Sequence, residues 1–285
     1  MKFLKTLTFL SFCIFMMSCG GGTGTDGGNV DNAGNDDIPT RDIDPNSAKA
    51  HFTKLGDVKK IGPAKTELQQ KIEALQDQIN ISDNPYVGYW VGKFGKNMIN
   101  IMIATAENGK VGGYSVCAGN YRMITGTYKN QKNGKTSFIL DEPGDDRYDG
   151  RFEFTIDGAT KSLAGSWSPF EPDGNSAKKY TLKKRAYKYD KTVGENPETA
   201  QRLLEGEEIY NYDADDLRMM RSEIYARHGY SFKEKDMRYF FESKEWYMPM
   251  SNDIRGKLSD IETANIDLIY EYETYVEEHY DDFGR

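Results

Sequence analysis

FEFTID, residues 152–157, sets Phe152, Phe154 and Ile156 against Glu153, Thr155 and Asp157 in strict alternation. Successive side chains of a strand point to opposite faces, so this period marks an antiparallel strand with one face buried and one wet. The pattern extends outward from there. INIMIATA, residues 99–106, places Ile99, Ile101 and Ile103 on one face. Turn signals recur between such runs at Glu107-Asn108-Gly109, Lys132-Asn133-Gly134, Pro143-Gly144-Asp145 and Asp157-Gly158, where Asn, Asp and Gly supply the backbone angles a tight turn needs. Cutting the chain at these turns leaves about eight strands: 87–94, 98–106, 110–117, 121–129, 136–141, 150–157, 162–168 and 179–187. Hairpin-length connections predict an up-and-down antiparallel β-barrel or a two-sheet sandwich over residues 84–190.

A small barrel with its interior filled by side chains is the expectation. Met98, Met102, Tyr114 and Tyr121 read either as cavity lining or as packing against a helix ahead of the barrel. Lys178, Lys179, Lys183, Lys184 and Arg185 make the last strand read as a solvated edge whose like charges block edge-to-edge pairing. Gly88-Tyr89-Trp90 resembles the Gly-x-Trp opening of lipocalin-like barrels.

Upstream, residues 1–20, MKFLKTLTFLSFCIFMMSCG, carry Lys2 and Lys5 and then an apolar run from Leu7 to Met17. That is the layout of a secretory signal, here assigned to residues 1–18. Met16-Met17-Ser18-Cys19 resembles the bacterial lipobox, which implies acylation of Cys19 by palmitate-type chains. It also implies a mature protein held on a membrane. Gly20 behind that cysteine favours the outer membrane by the same resemblance. Each buried methylene adds roughly 0.8 kcal/mol, so several acyl chains anchor durably where one binds reversibly. Residues 19–48, rich in Gly, Asn and Asp, offer a core almost nothing to bury and read as a flexible tether. In residues 49–83, Leu68, Ile72, Leu75 and Ile79 form a narrow apolar stripe at helical spacing.

Beyond residue 200 the helical period returns. Asp213 or Asp215 can cap a helix whose face is Leu217, Met220, Ile224 and His228, and Gly229 stands where a left-handed residue ends a helix. Arg227 and His228 lie in the last turn, where cations suit the exposed carbonyls. Met237, Phe240 and Phe241 mark a second helix. Ser259 and Glu262 form a capping box that opens a third, whose acidic tail is expected to fray or face solvent. The run Tyr225-Ala226-Arg227-His228-Gly229, with Leu217, Arg221, Glu223 and Ile224 before it and Phe232, Asp236, Tyr239, Phe240, Trp246, Tyr247, Leu258, Ile261, Glu262, Asn265 and Ile269 after it, resembles the YARHG domain of exported bacterial proteins. The resemblance implies a small all-α module over residues 200–285 and a place in the cell envelope, and no reaction.

The fold class expected is therefore α+β and multidomain: a helix, the β domain, then the helical module. Function reads as a lipid-anchored, non-catalytic envelope protein. Tyr225, Arg227, His228, Trp246 and Tyr247 are its candidate binding residues, offered to an envelope polymer or an envelope protein. Aromatic faces suit sugars, and guanidinium suits a carboxylate. A small-ligand carrier using the barrel is the alternative. A hydrolase with His228 as base, oriented by Glu223 or Asp236, is a third reading, short of a nucleophile elbow, an oxyanion donor or a metal.

No cofactor or metal is expected, since the three histidines stand far apart and no Cys/His cluster exists. Of the three cysteines, Cys13 goes with the leader and Cys19 with the lipid, which leaves Cys117 alone and buried, with no intrachain disulfide to form. Losing Lys2 and Lys5 takes the net charge from −8 to −10, which argues against nucleic acid.

Overall fold

The computed structural model describes residues 83–132, 134–172 and 177–279, together with residue 74. The expected leader, Cys19 and the tether lie outside the described residues. So does the helix expected over 49–83, apart from Ala74, which is helical and exposed. None of the described helices is long and apolar enough to cross a membrane.

Eight strands follow in order: β1 (Gly88–Phe94), β2 (Asn97–Glu107), β3 (Lys110–Cys117), β4 (Asn120–Asn130), β5 (Lys135–Asp141), β6 (Gly150–Asp157), β7 (Ser162–Pro169) and β8 (Lys178–Arg185). Each pairs antiparallel with its sequence neighbour, and β8 returns to β1, so the sheet is a closed barrel and not a sandwich. Closure overturns the reading of β8 as an edge, because it is bonded to β7 on one side and β1 on the other. Its exposed lysines alternate with buried Tyr180 and Leu182. They solvate the outer surface and guard no open edge.

The alternating apolar residues fill the interior. Trp90, Ile99, Ile101, Phe138, Phe152 and Phe154 are all buried in one cluster, and the Phe138 and Phe154 rings stack with centroids 5.0 Å apart. One change of parity is built into β2. Ile103 pairs with Gly113 but Thr105 pairs with Gly112, which leaves Ala104 as an extra residue. This β-bulge brings Ile103 and Ala106 into the same inner cluster although they are an odd number of residues apart. Gly113 permits the bulge, since a Cβ there would stand 1.8 Å from the Met102 carbonyl oxygen.

The helical part consists of α1 (Gly206–Ile209), α2 (Ala214–Arg227), α3 (Lys235–Glu242) and α4 (Asp260–His279). Asp213 caps α2 by accepting from the Asp216 N–H at 2.8 Å. At the other end the Tyr230 N–H donates to the Tyr225 carbonyl and the Gly229 N–H to that of Ala226, at 3.0 and 2.9 Å. That is a Schellman cap, with Gly229 at φ +74°. Ser259 and Glu262 exchange bonds as a capping box should, Ser259 N–H to Glu262 Oε2 at 2.9 Å and Glu262 N–H to Ser259 Oγ at 3.3 Å. α4 stays regular through His279 and turns Glu273 inward onto Arg221, while Tyr275, Glu277, Glu278 and His279 face solvent, as expected of its last turns; residues 280–285 lie outside the described residues.

Barrel and helices belong to one compact unit. The outer face of the barrel's first three strands, through Tyr89, Val91, Met102, Tyr114 and Val116, is covered by Met248 and Met250 from the segment between α3 and α4. Met98 and Tyr121 pack at the margin of the same cluster. The four residues that read as cavity lining or as seat for a preceding helix thus face the C-terminal helices' connecting segment. Polar bonds fix the contact: Asn100 Nδ2 donates to the Pro249 carbonyl at 2.9 Å, Arg185 to those of Tyr247 and Glu245 at 3.2 and 2.7 Å, and the Gly119 N–H to Ser231 Oγ at 2.9 Å.

Candidate functional site

One end of the barrel is open. The chain ends that meet there are the C-terminal ends of β1, β3, β5 and β7 and the starts of their partners, and they surround a cavity of about 400 Å³. Phe94, Phe152 and Trp167 supply its aromatic wall; the Phe94 and Trp167 rings meet edge-on at 6.0 Å. Lys178, at the start of β8, sets its ammonium over both rings, 4.8 and 5.1 Å from their centroids, within the range of cation–π attraction.

Two carboxylates reach the cavity from the β5–β6 connection, and their surroundings differ. Asp149 is buried and satisfied: its Oδ2 accepts from the N–H groups of Gly144, Asp145 and Asp146 at 2.8, 3.2 and 3.3 Å and from Arg122, which also binds Asp145. Glu142 is buried too, but no ion pair reaches it among the described residues. Its Oε2 accepts from the Gly150 N–H at 2.8 Å and Trp167 Nε1 at 3.1 Å, while Oε1 has only Ser115 Oγ at 3.4 Å. Burial pushes the Glu142 carboxyl up to about 7, against the pull of the bonds from Trp167 and Gly150. Cys117 lines the same cavity half-buried, and burial raises its thiol to about 12, so it is a packing thiol and not a nucleophile at neutral pH.

The helical module concentrates its buried charges around the end of α2. Arg227 donates Nε to the Val193 carbonyl at 2.8 Å, Nη1 to Thr199 Oγ1 at 2.8 Å and Nη2 to the Asn196 carbonyl at 2.6 Å, and pairs with Glu223 one turn back. Glu223 in turn accepts from the N–H groups of Glu195 and Asn196 at 2.7 and 2.9 Å. The pair therefore pins the chain entering the module. Burial lowers the Arg227 guanidinium from its ordinary value, against the opposing pull of Glu223.

His228 sets Nε2 between both oxygens of Glu262 at 2.9 and 3.0 Å and stacks on Tyr189 with ring centroids 4.5 Å apart. Tyr189 donates its hydroxyl to Glu262 at 2.8 Å. Burial pushes Glu262 up, but the bonds from His228, Ser259 and Tyr189 outweigh it and hold the carboxyl below its usual range. Arg221 meets Glu273 through two bonds, at 2.8 and 2.9 Å, with both side chains buried.

Residues 194–274 match the family model of the YARHG domain. The chain carries a YARHG domain. No curated protein and no solved structure matches the chain.

In the YARHG domain the five candidate binding residues do not form an exposed face. Tyr225, Arg227, His228 and Tyr247 are each 5% exposed or less. Trp246 is half-buried against Phe241, the ring centroids 6.2 Å apart. Tyr247 donates its hydroxyl to the Tyr230 carbonyl at 2.8 Å, and Tyr187 closes over the motif by donating to the Arg227 carbonyl at 3.0 Å. The reason is economy of a small domain, which builds its core from the largest side chains at hand.

The acids expected to orient His228 are also reassigned. Glu223 is taken by Arg227, Asp236 by Arg218 at 3.0 Å, and His228 falls to Glu262, 34 residues further on. Ser222 is buried and Ser231 Oγ accepts from Gly119. Sequence reasoning flagged Glu262 as a capping residue, which it is, and missed its second role. Glu142 escaped notice altogether, although its place just before Pro143-Gly144 at a strand end was the one available signal.

Proposed function

We propose that this protein is a non-catalytic, lipid-anchored binding protein of the cell envelope whose barrel mouth is the ligand site, with the YARHG domain as its structural clamp. The observation that carries this reading is the half-open cavity of about 400 Å³ with Glu142 on its wall. Cavities of roughly 300–1,000 Å³ with apolar walls and a few convergent polar groups are the common form of a small-molecule site. The YARHG motif supports the division of labour, because its charged groups are spent on one another and on the chain around them. An imidazole that is buried and covered by a tyrosine ring is badly placed to reach a substrate proton. The lipid anchor rests on Cys19 and the apolar run ahead of it.

Native mass spectrometry of the acylated protein, extracted from its own envelope in mild detergent, tests the reading. A small molecule is expected to leave with the wild-type protein and to be missing from an Asn120→Trp variant, whose exposed ring at the rim would block the mouth. An empty wild-type protein, or the same adduct on both, would remove the barrel as the site. Replacing Cys19 with Ser should move the protein from the detergent phase to the aqueous phase.

A further inference from the structure

From the unneutralised Glu142 carboxyl set among the aromatic rings of Phe94, Phe152 and Trp167, we infer that the barrel mouth takes an organic ammonium, a protonated amine on a flat apolar body. The inference rests on the barrel mouth being the ligand site. Three observations converge on it. A carboxylate taken out of water needs a counter-charge or close hydrogen-bond donors on both oxygens, and Glu142 has good donors on one oxygen only. The other, Oε1, has a single distant hydroxyl at 3.4 Å. The nearest guanidinium, Arg122, is occupied by Asp145 and Asp149.

The walls agree with the floor. Phe94 and Trp167 already hold one ammonium, that of Lys178, so the ring faces have the geometry a cation prefers. Lys178 itself is exposed and extends from the rim, so it is a competitor that a ligand can displace into water. Asp145 and Asp149 share one arginine, and Asp146, exposed in the same loop, forms no ion pair among the described residues. Tyr148, 55% exposed in that loop, and Phe170, 44% exposed just after β7, continue the aromatic surface outward. A neutral sugar would use the aromatic wall and leave the Glu142 charge uncompensated; an anion would meet it head-on.

The test uses three probes of one shape and different charge: 2-phenylethylamine, 2-phenylethanol and 3-phenylpropionate, titrated calorimetrically into the folded protein at pH 8. At that pH Glu142 is ionised, being above the value of about 7 to which burial raises it. The amine is expected to bind at least about ten-fold tighter than the alcohol, a difference of about 1.4 kcal/mol, and the propionate weakest. Glu142→Gln should erase the ten-fold preference. Lys178→Met, which takes the ammonium away from the Phe94 and Trp167 rings, should strengthen amine binding several-fold and widen its preference over the alcohol. Equal binding of amine and alcohol, a preference that survives Glu142→Gln, or weaker amine binding in Lys178→Met would each overturn the inference. If the native protein carries a ligand and none of the probes prefers the ammonium form, the ammonium assignment fails and the barrel site stands; if the native protein is also empty, both fail.

Discussion

The two ends of this molecule treat buried charge in opposite ways. In the YARHG domain Arg227 meets Glu223, His228 meets Glu262 and Arg221 meets Glu273, each pair with both side chains almost fully buried. At the barrel mouth Glu142 is buried as well, yet it forms no ion pair among the described residues: Arg122 is bound to Asp145 and Asp149, and the Lys178 ammonium lies over the Phe94 and Trp167 rings. A closed pair contributes mainly by specifying how three helices and a loop fit together, since desolvation cancels much of the attraction. An open carboxyl contributes nothing of that kind to the fold: it holds a proton or is completed by a cation from outside the chain. The contrast separates a structural motif from a binding site more sharply than residue type does: the striking letters Tyr-Ala-Arg-His-Gly are architecture, and the inconspicuous Glu142 is the candidate for recognition.

The largest effect expected comes from opening a closed pair. Arg227→Ala strands Glu223 and frees the 193–199 segment, and should cost about 3–5 kcal/mol, measured as a shift in urea-unfolding midpoint at constant slope. A loss under 1 kcal/mol would mean that the motif's charges are not what holds the domain. Next comes the pH dependence of the open charge. Glu142, raised to about 7, favours the fold while it is protonated, and that contribution is lost as pH rises from about 4.5 through 7. The loss is on the order of 2–3 kcal/mol.

Glu242, raised by burial at the barrel contact, acts with the same sign, whereas Glu262, held low, contributes stability that is lost as pH falls through its folded value. Unfolding followed across pH 4.5–8 for wild type and Glu142→Gln isolates the first term, because the variant should lose that part of the slope and be the more stable protein at pH 8. Gly229→Ala, smaller again, adds a Cβ 2.4 Å from Met250 Cγ at a positive φ. It should cost about 1–3 kcal/mol and loosen the seat of the barrel, visible as faster amide exchange at Met250. Asp213→Ala removes only the α2 cap, about 1 kcal/mol, with a lower melting temperature and an unaltered barrel mouth.

How much of this was legible beforehand follows from the range of each signal. Strand alternation and turn residues act over two to four positions, and so all eight strands fall within one or two residues of where the pattern of FEFTID and its neighbours puts them. Gly229 and the Ser259/Glu262 box are equally local. The closure of β8 on β1 joins residues nearly a hundred positions apart, and no period along the chain distinguishes an edge strand from a closing one. His228 was legible as core-facing, but its partner lies on another helix. Glu142 reads as an ordinary acid before a turn, and only the barrel's curvature makes its surroundings dry.

Closure of β8 on β1 also fixes a direction. The chain enters the barrel at Gly88 and leaves it at Arg185, neighbours across the closing pair's first rungs, whereas the cavity opens where β1 ends and β8 begins. Entry and exit share one rim and the opening occupies the other. The lining of the mouth is therefore supplied by hairpin ends and the β5–β6 connection, and not by the chain that enters or leaves the barrel.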